Sequence, residues 1–444
     1  MVLLLTKLRS CVAFIPSKLP HVLEFLTSQG VAMAGNLFYG FLCVRLLPVA
    51  DYAKYVTVFG FLSTLSILMD ISFSSALLPL IGERIDNSKL IADYVASLRQ
   101  LARWLFVVLA PITMVAYPLI VSRQHWNWRI IAAMLAILIV SAWCARVAGA
   151  YGAVLIVRRD RKVWYRAQII SSLGTLTLLG VVWALHALNS FSAMLINVAG
   201  IMFVAISYFL RARSLLGVVG TPSPQKRKAI VQLTAPNLPS VILYAFQGQI
   251  SLFLITYFGY TSGVASVGAL TRLGQIFALF SQMTPMLIEP YFARLPKESL
   301  KRNYLGLFVA EVGMCGLFTW SAYSFPGLFL WILGHQYSGL RHEVFLLIVG
   351  SSIGYFAGVL WVVHNARRFT YWWYGMTNVI VQLGVQITFI CKYDLSTVRA
   401  VLIMNIVTAA ASFSVILFTG FYGFVRGPKQ ILESTPIRVQ SDYA

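Results

Sequence analysis

Twelve stretches of predominantly apolar residues run along the chain, each about as long as a helix must be to cross a lipid bilayer. They cover roughly 23–46, 53–81, 101–121, 130–156, 167–188, 191–210, 238–258, 264–288, 304–323, 344–363, 372–390 and 400–421. Inside hydrocarbon every backbone N–H and C=O must find a partner within its own segment, so such a chain is confined to a bundle of spanning helices. Only 11% of the residues are charged, against about 25% in soluble domains. No stretch is polar enough to form a separate soluble domain. The expected fold is all-α and polytopic, with about twelve transmembrane helices in two six-helix lobes around a central cavity.

Lys and Arg set the orientation. With the N-terminus inside, 26 of the 35 fall in inner segments and 7 in outer ones, and the other two, Arg146 and Arg272, lie within spans. That bias over short loops predicts both termini in the cytoplasm. The net charge of +21 is then a topology signal, and nucleic acid is not an expected partner. Met1–Leu5 is apolar but is cut short by Lys7 and Arg9, so it reads as a short interfacial segment rather than a cleavable signal. The five cysteines show no metal spacing and the six histidines are scattered, so neither a metal nor a cofactor is implied. The longest polar connection in the middle carries Gly220-Thr-Pro-Ser-Pro-Gln-Lys-Arg-Lys228. It divides the chain into a lobe at 1–214, a flexible cytoplasmic linker at 215–232, a second lobe at 233–423 and a cytoplasmic tail at 424–444.

Polar residues inside the spans are not scattered. In the stretch from Gly263 to Arg294, residues Arg272, Gln275, Gln282, Met286 and Glu289 share about a third of the helix circumference, and Pro285 is placed to swing the last turn. A guanidinium in a span is costly against lipid, so this stripe faces protein or a water-filled cavity. Arg272 has no acid at i±3 or i±4. It is read either as an anion site, suited by its planar fork to phosphate, or as the partner of a carboxylate such as Glu311 on a neighbouring helix. The first half carries an echo, since Gly60, Ser63 and Asp70 lie 212 positions before Arg272, Gln275 and Gln282. Such an offset points to an internally duplicated membrane transporter.

Taken on continuous helices, Asp70 lies about 21 Å from Arg84 and Arg146 about 18 Å from Arg158, so the two sit at similar depth. They form either a structural ion pair or part of a cavity lining with a basic centre. Asp70 and Glu311 are also candidate coupling-ion sites. Further polar stripes run through Gln29, Asn36, Tyr39 and Cys43; through Asn237, Tyr244, Gln247 and Ser251; and through Asn378, Gln382 and Gln386. One such stripe is explained by interhelical hydrogen bonding, whereas three fit a hydrated path able to meet sugar hydroxyls. The candidate substrate-binding set is Arg146, Arg272, Gln275, Gln282, Asn36 and Gln247.

The segment Arg45-Leu-Leu-Pro-Val-Ala-Asp-Tyr-Ala-Lys-Tyr55, followed by Asp70, resembles the opening of Wzx-type polysaccharide flippases of the multidrug/oligosaccharidyl-lipid/polysaccharide exporter superfamily. The loose family pattern is matched at Arg45, Tyr52, Tyr55 and Asp70. It departs at Pro48, which lacks a preceding glycine, and at Ala53 and Ser72, where glycine is usual. Val267-Gly268 with Arg272-Leu273 and then Pro290 is similar to the signature of the seventh and eighth helices, and the resemblance extends over nearly the whole chain. It implies translocation of an undecaprenyl-diphosphate-linked oligosaccharide across the bacterial inner membrane by alternating access, for polysaccharide biosynthesis. The partners implied are the lipid-linked oligosaccharide, membrane lipids and other polysaccharide assembly proteins. A cation or drug antiporter of the same superfamily is the alternative. A membrane glycan polymerase or ligase, which would be an enzyme, fits less well because the outer loops are short.

Overall fold

The computed structural model describes residues 19–426 except 72, 75, 82–85, 159, 236–237, 368 and 370. Within helices it leaves out some side chains, including those of 19–29 and of Gln282. The first half holds α1 (Leu19–Leu46), α2 (Val49–Asp70), the short α3 (Leu77–Ile81), α4 (Ser88–Val121), α5 (Trp128–Val157), α6 (Arg161–Ala184) and α7 (Ser190–Leu216). After α8 (Pro224–Thr234) come α9 (Leu238–Gln247), α10 (Ile250–Phe258), α11 (Thr261–Arg294), α12 (Lys297–Ser324) and α13 (Pro326–Leu333). The chain continues through α14 (Arg341–Ala366), α15 (Trp372–Lys392) and α16 (Val398–Arg426). Single 3-10 turns at Ser122–Gln124 and His335–Tyr337 lead into α5 and α14.

Ten of the described helices are long and apolar enough to cross a membrane, and the bent pair α9–α10 makes an eleventh. The helix α1 covers the first expected span. The starts follow local chemistry. The Asn87 and Asn127 side chains accept from backbone N–H groups in the first turns of α4 and α5, and Asn189 with Ser192 closes a capping box on α7. The outward faces are apolar, as they must be against lipid: Val107, Ile112, Val115 and Leu119 on α4 and Leu305, Val309 and Trp320 on α12 are all exposed.

Two expected spans are interrupted in the structure. The span expected at 53–81 ends at Asp70, because Ile71 turns left-handed (φ 42°) and a turn separates it from α3. Asp70 is therefore the last residue of its helix, and the depth computed along continuous helix to Arg84 does not hold; Arg84 itself lies outside the described residues. The span expected at 238–258 is broken between α9 and α10, which meet with a 51° bend. By contrast α11 continues as one helix across Pro285 to Arg294.

The connection at 215–232 was expected to be flexible, yet it enters α8 and is tied down. Asp93 of α4 accepts from Lys226 Nζ at 2.7 Å and from the Thr221 N–H at 2.9 Å, and the Ser223 N–H donates to Ser97 Oγ at 3.0 Å. The N-terminal segment and the tail beyond Arg426 lie outside the described residues.

The chain divides into two compact units. One comprises Met1–Gln275, Gly327–Arg341 and Asp394–Val401. An apolar cluster in it packs Leu77, Ile81, Val95, Leu98, Val154, Leu155, Tyr208 and Ile230, drawn from α3, α4, α5, α7 and α8. The other comprises Ile276–Pro326, His342–Tyr393 and Leu402–Ala444, with a smaller cluster of Phe292, Leu300, Val363 and Phe369.

The offset of 212 residues recurs in the packing of the first unit. A Cβ on Gly40 would lie 3.2 Å from Arg272 Cδ, and one on Gly60 would lie 2.6 Å from Leu252. Residues 40 and 272 stand in the same relation to each other as 252 and 60. Val56 and Gly268, themselves 212 apart, pack directly on one another.

Candidate functional site

Arg272 is the centre of the most distinctive polar site in the first unit. It lies on the first part of α11 and is only 4% exposed. Its guanidinium carbon stands 4.1 Å from the centre of the Phe59 ring and 5.9 Å from that of Tyr55, both on α2. Gly40 of α1 closes another side, where any side chain would press on Cδ and Nη1. The ionisable side chains nearest the guanidinium are Tyr52, Tyr55 and Cys43, with no carboxylate among the described ones. Nη1 donates to Gln275 Oε1 at 3.3 Å, while Nη2 has no hydrogen-bond partner among the described residues. The hydroxyls of Tyr52 and Tyr55 are buried too, that of Tyr52 beside the guanidinium and that of Tyr55 beside the Cys43 thiol, and neither makes a well-formed hydrogen bond among the described residues.

The energetics of this arrangement are unbalanced. Removing a guanidinium from water costs several kcal/mol. Cation–π contact with an aromatic face returns only about 0.5–2 kcal/mol, and one long hydrogen bond adds about 1 kcal/mol. The site holds a permanent positive charge with an unpaired Nη2, one long bond from Nη1 and two tyrosine hydroxyls close by, which together can serve as a donor set for an oxyanion.

The other expected residues do not all join it. Gln275 does, as the acceptor from Arg272. Arg146 does not: it lies on α5 over the Trp143 ring, at 3.8 Å, and donates weakly to the Arg99 carbonyl of α4 at 3.4 Å. Arg99 and Arg103 are its charged neighbours, so Arg146 belongs to a separate basic cluster. Asp70 and Arg146 form no ion pair. The Asp70 carboxylate instead accepts from the Ser74 N–H at 3.1 Å and the Ser74 hydroxyl at 2.6 Å, which closes the turn after α2. The reason is the left-handed residue at 71, which folds the chain back over the helix end and brings Ser74 to the carboxylate. Asn36 is exposed on α1, and Gln247 is half-buried at the break between α9 and α10. The side chain of Gln282 lies outside the described residues.

Glu311 belongs to the second unit, on α12. It is buried, with Oε2 unpaired and with the Tyr355 hydroxyl and Cys315 beside it. The stripe on α15 serves interhelical bonding rather than a hydrated path: Gln382 donates to Ser412 Oγ of α16, which in turn donates to Asn378.

Composition and charge spacing did not single out the aromatic wall of Arg272. Tyr52 and Tyr55 stand out in the sequence only through their resemblance to a family pattern, and Phe59 and Gly40 carry no charge or polarity that marks them. Helical spacing carried a signal, since Tyr52, Tyr55 and Phe59 follow at i, i+3 and i+7 on one face of α2.

No protein-family model matches the chain, and no curated protein matches it by sequence. Solved structures do match by fold. A multidrug resistance MATE family transporter of the MOP superfamily, in an inward-facing conformation, aligns over 89% of this chain and 94% of its own, with a TM-score of 0.61 and 16% identity. The lipid II flippase MurJ, in an inward closed conformation, aligns over 90% of this chain and 87% of its own, with a TM-score of 0.66 and 11% identity. A MOP superfamily transporter from Pyrococcus furiosus, described as having a binding pocket of reverse polarity, aligns over 90% and 92% with a TM-score of 0.53 and 17% identity. The chain is thus a multi-pass membrane protein with the all-helical fold shared by MATE transporters and MurJ, and about twelve spanning helices.

Proposed function

We propose that the protein is a Wzx-type flippase that moves a lipid-diphosphate-linked oligosaccharide across the bacterial inner membrane by alternating access, with both termini in the cytoplasm. The observation that carries this reading is Arg272, a buried guanidinium with Nη2 unpaired, tyrosine hydroxyls beside it and no carboxylate partner among the described residues of its unit. A diphosphate supplies the missing charge and the missing acceptors at once. Its bidentate oxygens suit the fork of Arg272, while the two tyrosine hydroxyls suit its remaining oxygens. Because α1 and α2 wall the guanidinium in, binding requires these helices to part from α11, which is a movement that alternating access provides.

Glu311 is the group we assign to coupling, since a buried carboxylate with one unpaired oxygen can take up and release a cation or proton. The same feature favours the second reading, a cation or drug antiporter, in which Glu311 would meet a cationic cargo. The deciding experiment deletes the gene in its host and follows lipid-linked oligosaccharide at the cytoplasmic face. Accumulation that is cleared by restoring the gene supports the flippase. Normal glycan export together with heightened sensitivity to cationic drugs supports the antiporter.

A further inference from the structure

Two glutamines 212 residues apart make the same contacts with crossed partners. Gln124, in the 3-10 turn after α4, donates Nε2 to the carbonyls of Thr256 at 2.7 Å and Gly259 at 3.0 Å, at the C-terminal end of α10. Gln336, in the 3-10 turn after α13, donates Nε2 to the carbonyls of Val44 at 2.5 Å and Leu47 at 3.5 Å, at the C-terminal end of α1. Residues 44 and 47 lie 212 positions before 256 and 259. The two helix ends close alike, Leu47 N–H on Cys43 C=O and Gly259 N–H on Ile255 C=O. All of these residues belong to the first compact unit.

The physical logic is that of helix termini. The last carbonyls of a helix have no partner within it and carry partial negative charge, so a side-chain amide N–H presented from elsewhere both satisfies and anchors them. Here the anchor always comes from the opposite half of the chain. A glutamine that served only as a local cap would have no need to cross over, and two would have no need to cross over in matching positions. Beneath the Gln336 contact, aromatic rings continue inward. Tyr337 meets Tyr52 edge-on at 6.4 Å, and Tyr52 leads through Tyr55 to Phe59, the ring over Arg272.

We infer that Gln124 and Gln336 are a pair of clasps that hold the ends of the two halves together and keep Arg272 closed off, and that both must open for the site to be reached from that side. They are positioning residues: Gln336 holds the end of α1, which walls the site, and Gln124 holds the end of α10, which packs on α2 at Gly60, and neither touches the cargo. The role in transport rests on the flippase reading, whereas the clasp itself does not. The two are unequal. Thr261 donates its hydroxyl to Gln124 Oε1 at 2.8 Å, giving that clasp three hydrogen bonds to the two of Gln336.

The test is hydrogen–deuterium exchange on the full chain in lipid nanodiscs, comparing wild type with Gln124→Leu, Gln336→Leu and the double variant. Losing two or three hydrogen bonds raises the open population roughly tenfold or more. For a coupled pair of clasps, either single variant speeds exchange at both helix ends, 43–52 and 254–263, and around Arg272, with Gln124→Leu having the larger effect. Exchange that rises only at the helix end each glutamine caps, or in neither place, overturns the proposal. Gln336→Glu keeps the shape but turns the donor into an acceptor, so it carries the same test should a leucine variant fail to fold. Because exchange is read without cargo, a positive result together with a gene deletion that leaves lipid-linked oligosaccharide and glycan export unchanged would refute the flippase reading and leave the clasps standing. Unchanged exchange together with a deletion that makes lipid-linked oligosaccharide accumulate would do the reverse.

Discussion

Replacing Gly268 by alanine probes the contact on which the internal repeat turns. A Cβ there would stand 2.7 Å from both Val56 methyls and 3.0 Å from the Val56 Cβ. Ordinary carbon contacts begin near 3.5 Å, so α2 and α11 must move apart by most of an ångström or Val56 must leave its rotamer. Such overpacking costs about 1–3 kcal/mol, while alanine regains about 1 kcal/mol of helix propensity over glycine. The expected net effect is a loss of up to about 2 kcal/mol. Gly174→Ala is the reference, because its Cβ would meet nothing within 4 Å and only the propensity gain remains. The assay is a double-mutant cycle by thermal unfolding in detergent, with Val56→Ala as the second change. Val56→Ala makes room for the new methyl, so the pair should recover at least about 1 kcal/mol relative to additivity. Additive effects, or a Gly268→Ala protein as stable as Gly174→Ala, would show that the two helices are not in close contact at these matching positions.

The turn after α2 gives a second prediction. Asp70→Asn keeps an acceptor for the Ser74 N–H, so protein level measured by blotting stays near wild type. Asp70→Ala removes both bonds and costs about 1–2 kcal/mol, and exchanging the charges of Asp70 and Arg146 rescues nothing. A third concerns the docked α8. Asp93→Ala removes the partner of Lys226 and of the Thr221 N–H, costs about 1 kcal/mol locally, and speeds tryptic cleavage at Lys226–Lys228; unchanged cleavage would mean that the ion pair does not hold α8 down. The fourth is topological: reporter fusions after Lys228 report cytoplasm and one at His335 reports the opposite side, whereas a cytoplasmic signal at His335 would overturn the orientation.

Much of the helical framework was legible because bilayer crossing leaves a strong periodicity-independent signal: long apolar runs separated by basic loops. What escaped was decided by single residues. Nothing in the apolar run through Asp70 announces that Ile71 turns left-handed, since isoleucine is an unusual choice there. Nor does composition reveal that Gly248 and Gln249 mark a bend. The polar linker reads as flexible by composition, yet one carboxylate, Asp93, brings part of it onto α4. For the site, charge was a good guide to Arg272 and a poor one to its surroundings, because its nearest neighbours are aromatic rings and a glycine rather than acids. Depth alone suggests that Asp70 and Arg146 pair, but Asp70 finds Ser74 in the turn after its own helix, and Arg146 finds Trp143 on α5 and the Arg99 carbonyl of α4. The offset of 212 was readable from one helix pair. Extending it to loops would have matched Gln124 with Gln336, although only the structure shows them reaching across to each other's halves.

The central claim is that Arg272 holds an anion rather than the fold. Its most direct measurement pairs protein level in the membrane with surface glycan export for Arg272→Lys and Arg272→Ala. Lysine keeps the charge and loses the bidentate fork, so export falls partly. Alanine removes both; the void it leaves between Phe59, Tyr55 and Gly40 is offset by the loss of an uncompensated buried charge, so export is lost while the protein remains near normal level. Full export by Arg272→Ala would contradict the account, as would disappearance of the protein from the membrane, the result expected of a structural arginine whose removal costs about 3–5 kcal/mol.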